Sequence, residues 1–179
     1  MKAPYEEAEL GEKVEKLNKI YIVGIVGSGK TTLSKKLSKK LGIKHFEVDN
    51  IAHKNTEIGR IKQSDEEQLN EFRRINEEKS WIIEGTFRPS CKFLLENADL
   101  IIFLDPSINV RKYRIVKRFV KQQIGLEKSH YKSDLGMLKA MFKWTNEFEK
   151  SRNEFEEMIN CYNSKLKILR TRKDLKRLI

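Results

Sequence analysis

Cysteine, proline and histidine are scarce in this 179-residue chain, with two, three and three copies. Cys91 and Cys161 stand far apart with no CxxC pair, which excludes a disulfide framework or a thiolate metal site and leaves two ordinary thiols. His45 and His53 form no metal-ligand pattern with their neighbours. No run of about 18 apolar residues occurs, so no membrane-spanning helix and no membrane partner is expected. The opening stretch "MKAPYEEAELGEKVEK" lacks the apolar core of a secretory leader, which points to a cytoplasmic protein. Acidic residues are under-represented in one region only. Residues 1–105 hold 18 basic and 18 acidic side chains, whereas 106–179 hold 19 and 8, so the C-terminal part carries the entire net charge of +11. Such an excess suits nucleic acid, a pocket for a small polyanion, or a solvated lysine-rich surface.

With no repeat and no low-complexity linker, the pattern is one of short apolar runs alternating with longer amphipathic stretches. This predicts βα units around a parallel sheet, in one domain over 1–179. Strands are expected at Ile20–Val23, Lys44–Val48, Trp81–Glu84, Leu100–Leu104 and Lys167–Leu169. Leu10, Val14 and Leu17 predict a lead-in helix within 1–19. Leu33, Leu37 and Leu41 predict a helix over Lys30–Leu41, stopped by Gly42. Ser64-Asp65-Glu66-Glu67 reads as a capping box opening a helix that carries Leu69, Phe72 and Ile75. Further helices are expected at Ile108–Gln123, Leu135–Tyr162 and Lys173–Leu178. Met137, Met141, Trp144, Phe148, Phe155 and Ile159 share one face of the long helix and are expected in the core.

The segment Gly24-Ile25-Val26-Gly27-Ser28-Gly29-Lys30-Thr31-Thr32 matches G-x-x-x-x-G-K-[ST], with a strand before it and a helix after it. Glycines let the backbone close on a ligand, successive N–H groups then form an anion nest, and the helix N-terminus adds its positive end. Gly24, Val26, Gly27, Ser28, Gly29, Lys30, Thr31 and Thr32 are therefore candidate ATP-binding residues. Lys30 would reach the β/γ-phosphates and Thr31 would place its hydroxyl on Mg²⁺.

Ligands of open α/β sheets sit at the carboxyl ends of the strands. Four features fall there: Asp49 in "HFEVDN", Glu84 and Arg88 in "WIIEGTFR", Asp105 in "IIFLD", and the helix that follows. On that helix Arg111, Arg114 and Arg118 fall on one face, with Ile108, Ile115, Val116 and Phe119 beside them toward the core. Clustered guanidinium groups suit the spread charge of a phosphoryl-transfer transition state.

Together "GIVGSGKTTLSKKLSKKLGI", "HFEVDNIA", "WIIEGTFR", "ADLIIFLD", "RIVKR" and "KWTNEFEKSR" resemble the adenylate kinase superfamily of P-loop phosphotransferases. Within it they resemble the adenylate-kinase-related DNA topology modulation (FlaR-like) family. The resemblance implies a three-layer α/β/α sandwich with a five-stranded parallel sheet, like that of nucleoside monophosphate kinases. It implies ATP as phosphate donor and Mg²⁺ held by Thr31, Glu84 and Asp105, partly through water. Arg88 would grip the acceptor's phosphate, with Arg60 as a second acceptor clamp in the 50–79 segment. Lys30, Arg114, Arg118 and Asp49 would be catalytic, and Arg111 and Arg152 are further lid or transition-state candidates. Residues 122–134 would form a short lid without zinc, where His130 and Tyr131 could cover the site.

Asp49 leaves the acceptor open. A nucleoside monophosphate fits two phosphorylated ligands, whereas a small hydroxyl acceptor fits Asp49 as base, as in shikimate-type kinases. A nucleotide-dependent DNA-related regulator is a third reading, with nucleic acid the less favoured partner because no base-reading module is visible. A monomer or a homodimer is expected.

Overall fold

The computed structural model describes residues 17–56, 59–127, 131 and 133–178. The lead-in helix and His130 lie outside the described residues. In chain order the elements are β1 (Lys19–Gly24), α1 (Lys30–Leu41), β2 (His45–Glu47), α2 (Val48–Ile51), β3 (His53–Thr56), β4 (Gly59–Lys62) and α3 (Asp65–Asn76). There follow β5 (Trp81–Gly85), α4 (Lys92–Asn97), β6 (Leu100–Leu104), α5 (Ile108–Gln123), α6 (Leu135–Asn160), β7 (Leu166–Leu169) and α7 (Arg172–Leu178).

All five expected strands are present and pair in parallel in the order β2-β5-β1-β6-β7. The three central strands are buried along almost their whole length, as a parallel sheet covered on both faces requires. Their side chains divide between two cores. Tyr21, Val23, Ile83, Ile101 and Phe103 pack with Phe72, Ile75, Leu94 and Ile159. Ile20, Ile22, Ile82 and Ile102 pack on the other face with Leu33, Leu37 and Leu178. Helices therefore flank the sheet on both sides. No helix among the described residues is long and apolar enough to cross a membrane.

Local signals set several boundaries. The capping box is formed as read: Ser64 accepts from the Glu67 N–H, and Glu67 accepts from the Ser64 N–H. Gly42 ends α1 at φ +68°. Both thiols are free, Cys91 buried and Cys161 exposed. Three departures matter for the site. The second strand is three residues long, and the chain turns into α2 at Val48, so Asp49 sits on a helical turn rather than on a strand end. Residues 53–62 carry an antiparallel hairpin, β3–β4. Its polar "HKNT" and "GRIK" show no alternation that would mark strands. Gln63 closes the hairpin's base by donating from its backbone to Ala52 O and from its side chain to Ile51 O. Finally, Val116 is exposed and Arg111 fully buried. α5 therefore turns Arg111 inward, where the helix spacing had placed Val116.

Candidate active site

The loop between β1 and α1 wraps a cleft of about 1120 Å³ at the carboxyl ends of the strands. Two glycines hold positive φ, Gly27 at +75° and Gly29 at +102°, values that side chains with a Cβ rarely adopt. A Cβ on Gly27 would also lie 2.8 Å from the Arg111 carbonyl oxygen. Helix α5 thus rests directly on the loop. Val26, Gly27, Ser28, Gly29, Lys30, Thr31 and Thr32 all line the cleft, whereas Gly24 closes the end of β1. Ser28 is 3% exposed and its hydroxyl has no partner among the described residues.

Lys30 folds back and donates to Ile25 O at 3.2 Å. Burial pushes its ammonium below the ordinary lysine range, and Glu84 and Asp49 oppose that shift. Thr31 donates to Glu84 Oε1 at 2.5 Å. Glu84 is 4% exposed. Desolvation raises its carboxyl above the usual range, against the pull of Lys30 and the Thr31 hydrogen bond. This pair of hard oxygens beside a phosphate loop suits Mg²⁺, which takes one or two protein oxygens and completes its octahedron with water and phosphate. Among the described residues no cluster of three or more His, Cys, Asp or Glu could hold a metal.

Asp105 does not join that pair. Arg152 donates to both its oxygens at 2.9 Å, and Arg170 donates at 3.2 Å. It is 7% exposed and does not line the cleft. The expectation of Mg²⁺ at Asp105 is corrected accordingly, because its lone pairs already receive two guanidinium groups. Arg111 and Arg152 are corrected with it. Arg111 pairs with Glu149 and stacks over Phe148, and Arg152 pairs with Glu149, Glu156 and Asp105. Neither lines the cleft. The Glu149 carboxyl is held below the usual range: burial would raise it, but hydrogen bonds from Arg152 and Arg111 overcome this. These groups form a bracket that ties α5 and α6 to the end of β6.

Of the arginine helix, Arg114 and Arg118 do line the cleft. Arg114 donates to the loop carbonyls of Ser28 at 2.6 Å and Gly27 at 3.3 Å. Arg118 touches Met141 Sδ at 3.3 Å and lies over the Tyr131 ring. Arg88 and Asp49 also line the cleft; Arg88 donates to Asp49 Oδ1 at 2.8 Å, and the Asp49 side chain is 61% exposed. Arg60 stands on β4, but its side chain lies outside the described residues.

Sequence reasoning missed several lining residues. Glu47, Asn50, His53 and Thr86 face the cleft, and so do Met137, Met141 and Trp144; Tyr131, expected to cover the site, lines it as well. Met137, Met141 and Trp144 were expected in the core. Met141 is buried, but Trp144 is 45% exposed. Its helical spacing was read correctly; the sequence held no signal that α6 outruns the sheet.

Fold and site define a P-loop nucleotide-binding domain of the nucleoside-monophosphate-kinase-like superfamily. More particularly, residues 20–130 match the family model described as an AAA domain, and the chain belongs to that family. It is 30% identical over 175 residues to a cytidylate kinase of Sulfurisphaera tokodaii, spanning 80% of this chain and 93% of that one. A cytidylate kinase of Pyrococcus horikoshii is 32% identical over 117 residues, spanning 55% of this chain. The match spans only 56% of the Pyrococcus enzyme's length. Among solved structures, shikimate kinase from Bacteroides thetaiotaomicron superposes with a TM-score of 0.53 at 17% identity, covering 89% of this chain and 93% of its own. Shikimate kinase from Acinetobacter baumannii, in complex with shikimate, gives 0.50 at 16% identity, covering 93% and 90%. At these identities the likeness is one of fold.

Proposed function

We propose that the protein transfers the γ-phosphate of ATP to a nucleoside monophosphate. The observation that carries this reading is that the phosphate loop, Lys30, Arg88 and Arg118 line one cleft. Two phosphorylated ligands need cations on both sides of the transferred group, and planar guanidinium forks suit the acceptor's phosphate. The likeness to cytidylate kinases supports the same acceptor class.

In the reaction an acceptor phosphate oxygen bonds to the γ-phosphorus while the bond from that phosphorus to the β–γ bridging oxygen breaks, leaving ADP. Lys30 leaves Ile25 O and follows the β/γ-oxygens, stabilising the charge that gathers on the departing oxygen. Arg118 does the same on the equatorial oxygens. Arg114 fixes the loop so that its N–H groups stay aimed at the phosphates. Thr31, with Glu84 through water, would hold Mg²⁺, which neutralises phosphate charge when bound. Arg88 releases Asp49 to take the acceptor. Tyr131 and the lid segment exclude water, without which the enzyme would be an ATPase.

A second reading has its own observation: Asp49 presents a solvent-open carboxylate in the cleft beside Arg88. There it would orient or deprotonate the hydroxyl of a small acid. A coupled assay across the nucleoside monophosphates tests the first reading, and Asp49→Asn separates the two. Turnover of a nucleotide that survives in the variant, at a rate within about threefold, supports the first. Turnover confined to hydroxyl acids and lost in Asp49→Asn supports the second. The narrower likeness to DNA topology modulation proteins rests on the quoted motifs alone.

A further inference from the structure

One face of α6 changes its environment along its length. Its C-terminal part is core: Phe148 and Phe155 pack edge-to-face on each other at 5.6 Å, and on Phe103 at the end of β6 at 6.4 and 5.1 Å. Phe155 also meets Phe87 at 5.9 Å, and Phe87 immediately precedes Arg88. The same face continues toward the N-terminus through Trp144, Met141 and Met137, which line the cleft, Met141 from a buried position. There the largest side chain on the face stands 45% exposed. An indole open in a concave site that also carries two methionines suits a flat ring: aromatic faces stack, and methionine sulfur packs against ring edges.

Its position indicates which ligand it serves. Helix α6 packs Phe148 and Phe155 on the sheet face that also holds Phe87, whereas the helix that opens at the phosphate loop packs Leu33 and Leu37 on the opposite face. We propose that Trp144, with Met137 and Met141, is the stacking wall for the acceptor, and that the acceptor therefore carries a planar heteroaromatic ring such as a nucleobase. This rests on the phosphotransferase reading above and adds its specificity-determining residue. An aliphatic hydroxy acid would leave the indole uncovered.

The molecule carries its own probe. Its other tryptophan, Trp81, is fully buried in β5, so changes in emission on ligand binding report Trp144. With the full chain saturated by a non-hydrolysable ATP analogue, CMP, AMP and UMP are expected to quench emission saturably, and ribose 5-phosphate is not. Trp144→Leu should raise the acceptor KM about tenfold or more, the scale of one base–aromatic stack, with kcat changed far less. Trp144→Phe should recover most of the loss, because a ring returns. The inference falls if ribose 5-phosphate quenches as well as the nucleotides. It falls if the analogue alone accounts for the quench, which would give the indole to the donor's base, or if Trp144→Leu keeps its acceptor KM. In that last case nucleotide turnover by the wild-type protein still stands. Absence of nucleotide turnover with intact quenching would instead remove the phosphotransferase reading and leave the ring site.

Discussion

Arg88 meets Asp49 in the open mouth of the cleft, whereas Arg111 and Arg152 meet Glu149 and Asp105 behind it, between helices. The side-chain chemistry is the same in both places, and the surroundings make the roles opposite. The front pair touches solvent, so each partner can exchange the other for a ligand at small cost, since exposed ion pairs contribute only about 0–1 kcal/mol. Behind the cleft, Arg111 is fully buried, with Nε and one terminal nitrogen unpartnered among the described residues. A guanidinium without water depends on its carboxylate, and breaking one partner of a buried pair costs about 3–5 kcal/mol. The contrast teaches that an arginine near a phosphate loop is a candidate for chemistry only if it can change partners.

The sharpest way to break this contrast is Glu149→Ala. Left with an uncompensated buried charge, the protein should lose about 3–5 kcal/mol, read as a lower urea midpoint and a melting temperature lower by roughly 10 °C. Arg111→Met with Glu149→Leu should recover most of that loss, because a filled apolar site needs no ion pair. A Glu149→Ala variant as stable as the parent would place the bracket among ornamental surface pairs.

Next in size is Lys30→Ala, which acts on the open side. It should lower kcat about 10²–10³-fold, as expected when one preorganised donor to developing charge is removed. Its melting temperature should move little, since among the described residues Lys30 makes one hydrogen bond, to Ile25 O at 3.2 Å. An equal loss of stability would mean that the loop needs the lysine to fold.

The smallest effect tests Glu84. Its folded carboxyl is raised above the ordinary glutamate range by desolvation, so the folded state holds that proton more tightly than the unfolded chain. The linked stability is fully present below about pH 4.5 and is lost as pH rises through the raised value. Glu84→Gln keeps the Thr31 hydrogen bond and removes that loss. Its melting temperature should therefore match the parent at pH 4 and exceed it by about 2–4 °C near neutrality, while phosphoryl transfer falls. A variant less stable than the parent at pH 7 would show that the ionised carboxylate stabilises the fold.

Much of the architecture was legible because it is written in local runs. Buried parallel strands must be apolar throughout, so "IYIV", "WII" and "LIIFL" announced themselves. The capping box, the Gly42 stop and the phosphate loop are short-range devices whose neighbours in sequence are also their partners in space. The β3–β4 hairpin and α4 escaped because their residues carry no periodic signal and depend on contacts from elsewhere in the chain, such as Gln63 with Ile51 at the hairpin's base and Asn76 with Asn97 of α4. Arg111 and Arg114 differ by three positions on one helix, and sequence spacing placed both on the same face. Only the crossing of α6 decided that one would be sealed against Glu149 while the other reached the loop carbonyls.

By itself the sequence determined the five-stranded parallel sheet and the glycine-rich loop that runs from β1 into α1 at Lys30 and Thr31, since each follows from consecutive residues and backbone geometry. Tertiary structure alone decided which charges line the cleft and which are sealed behind it. Asp105 and Arg152 neutralise each other, Asp49 and Arg88 stay at the surface, and Trp144 leaves the core because its helix runs past the end of the sheet. Burial is a property of neighbours brought from far along the chain, and burial determines whether a charge or a ring works for the fold or for a ligand.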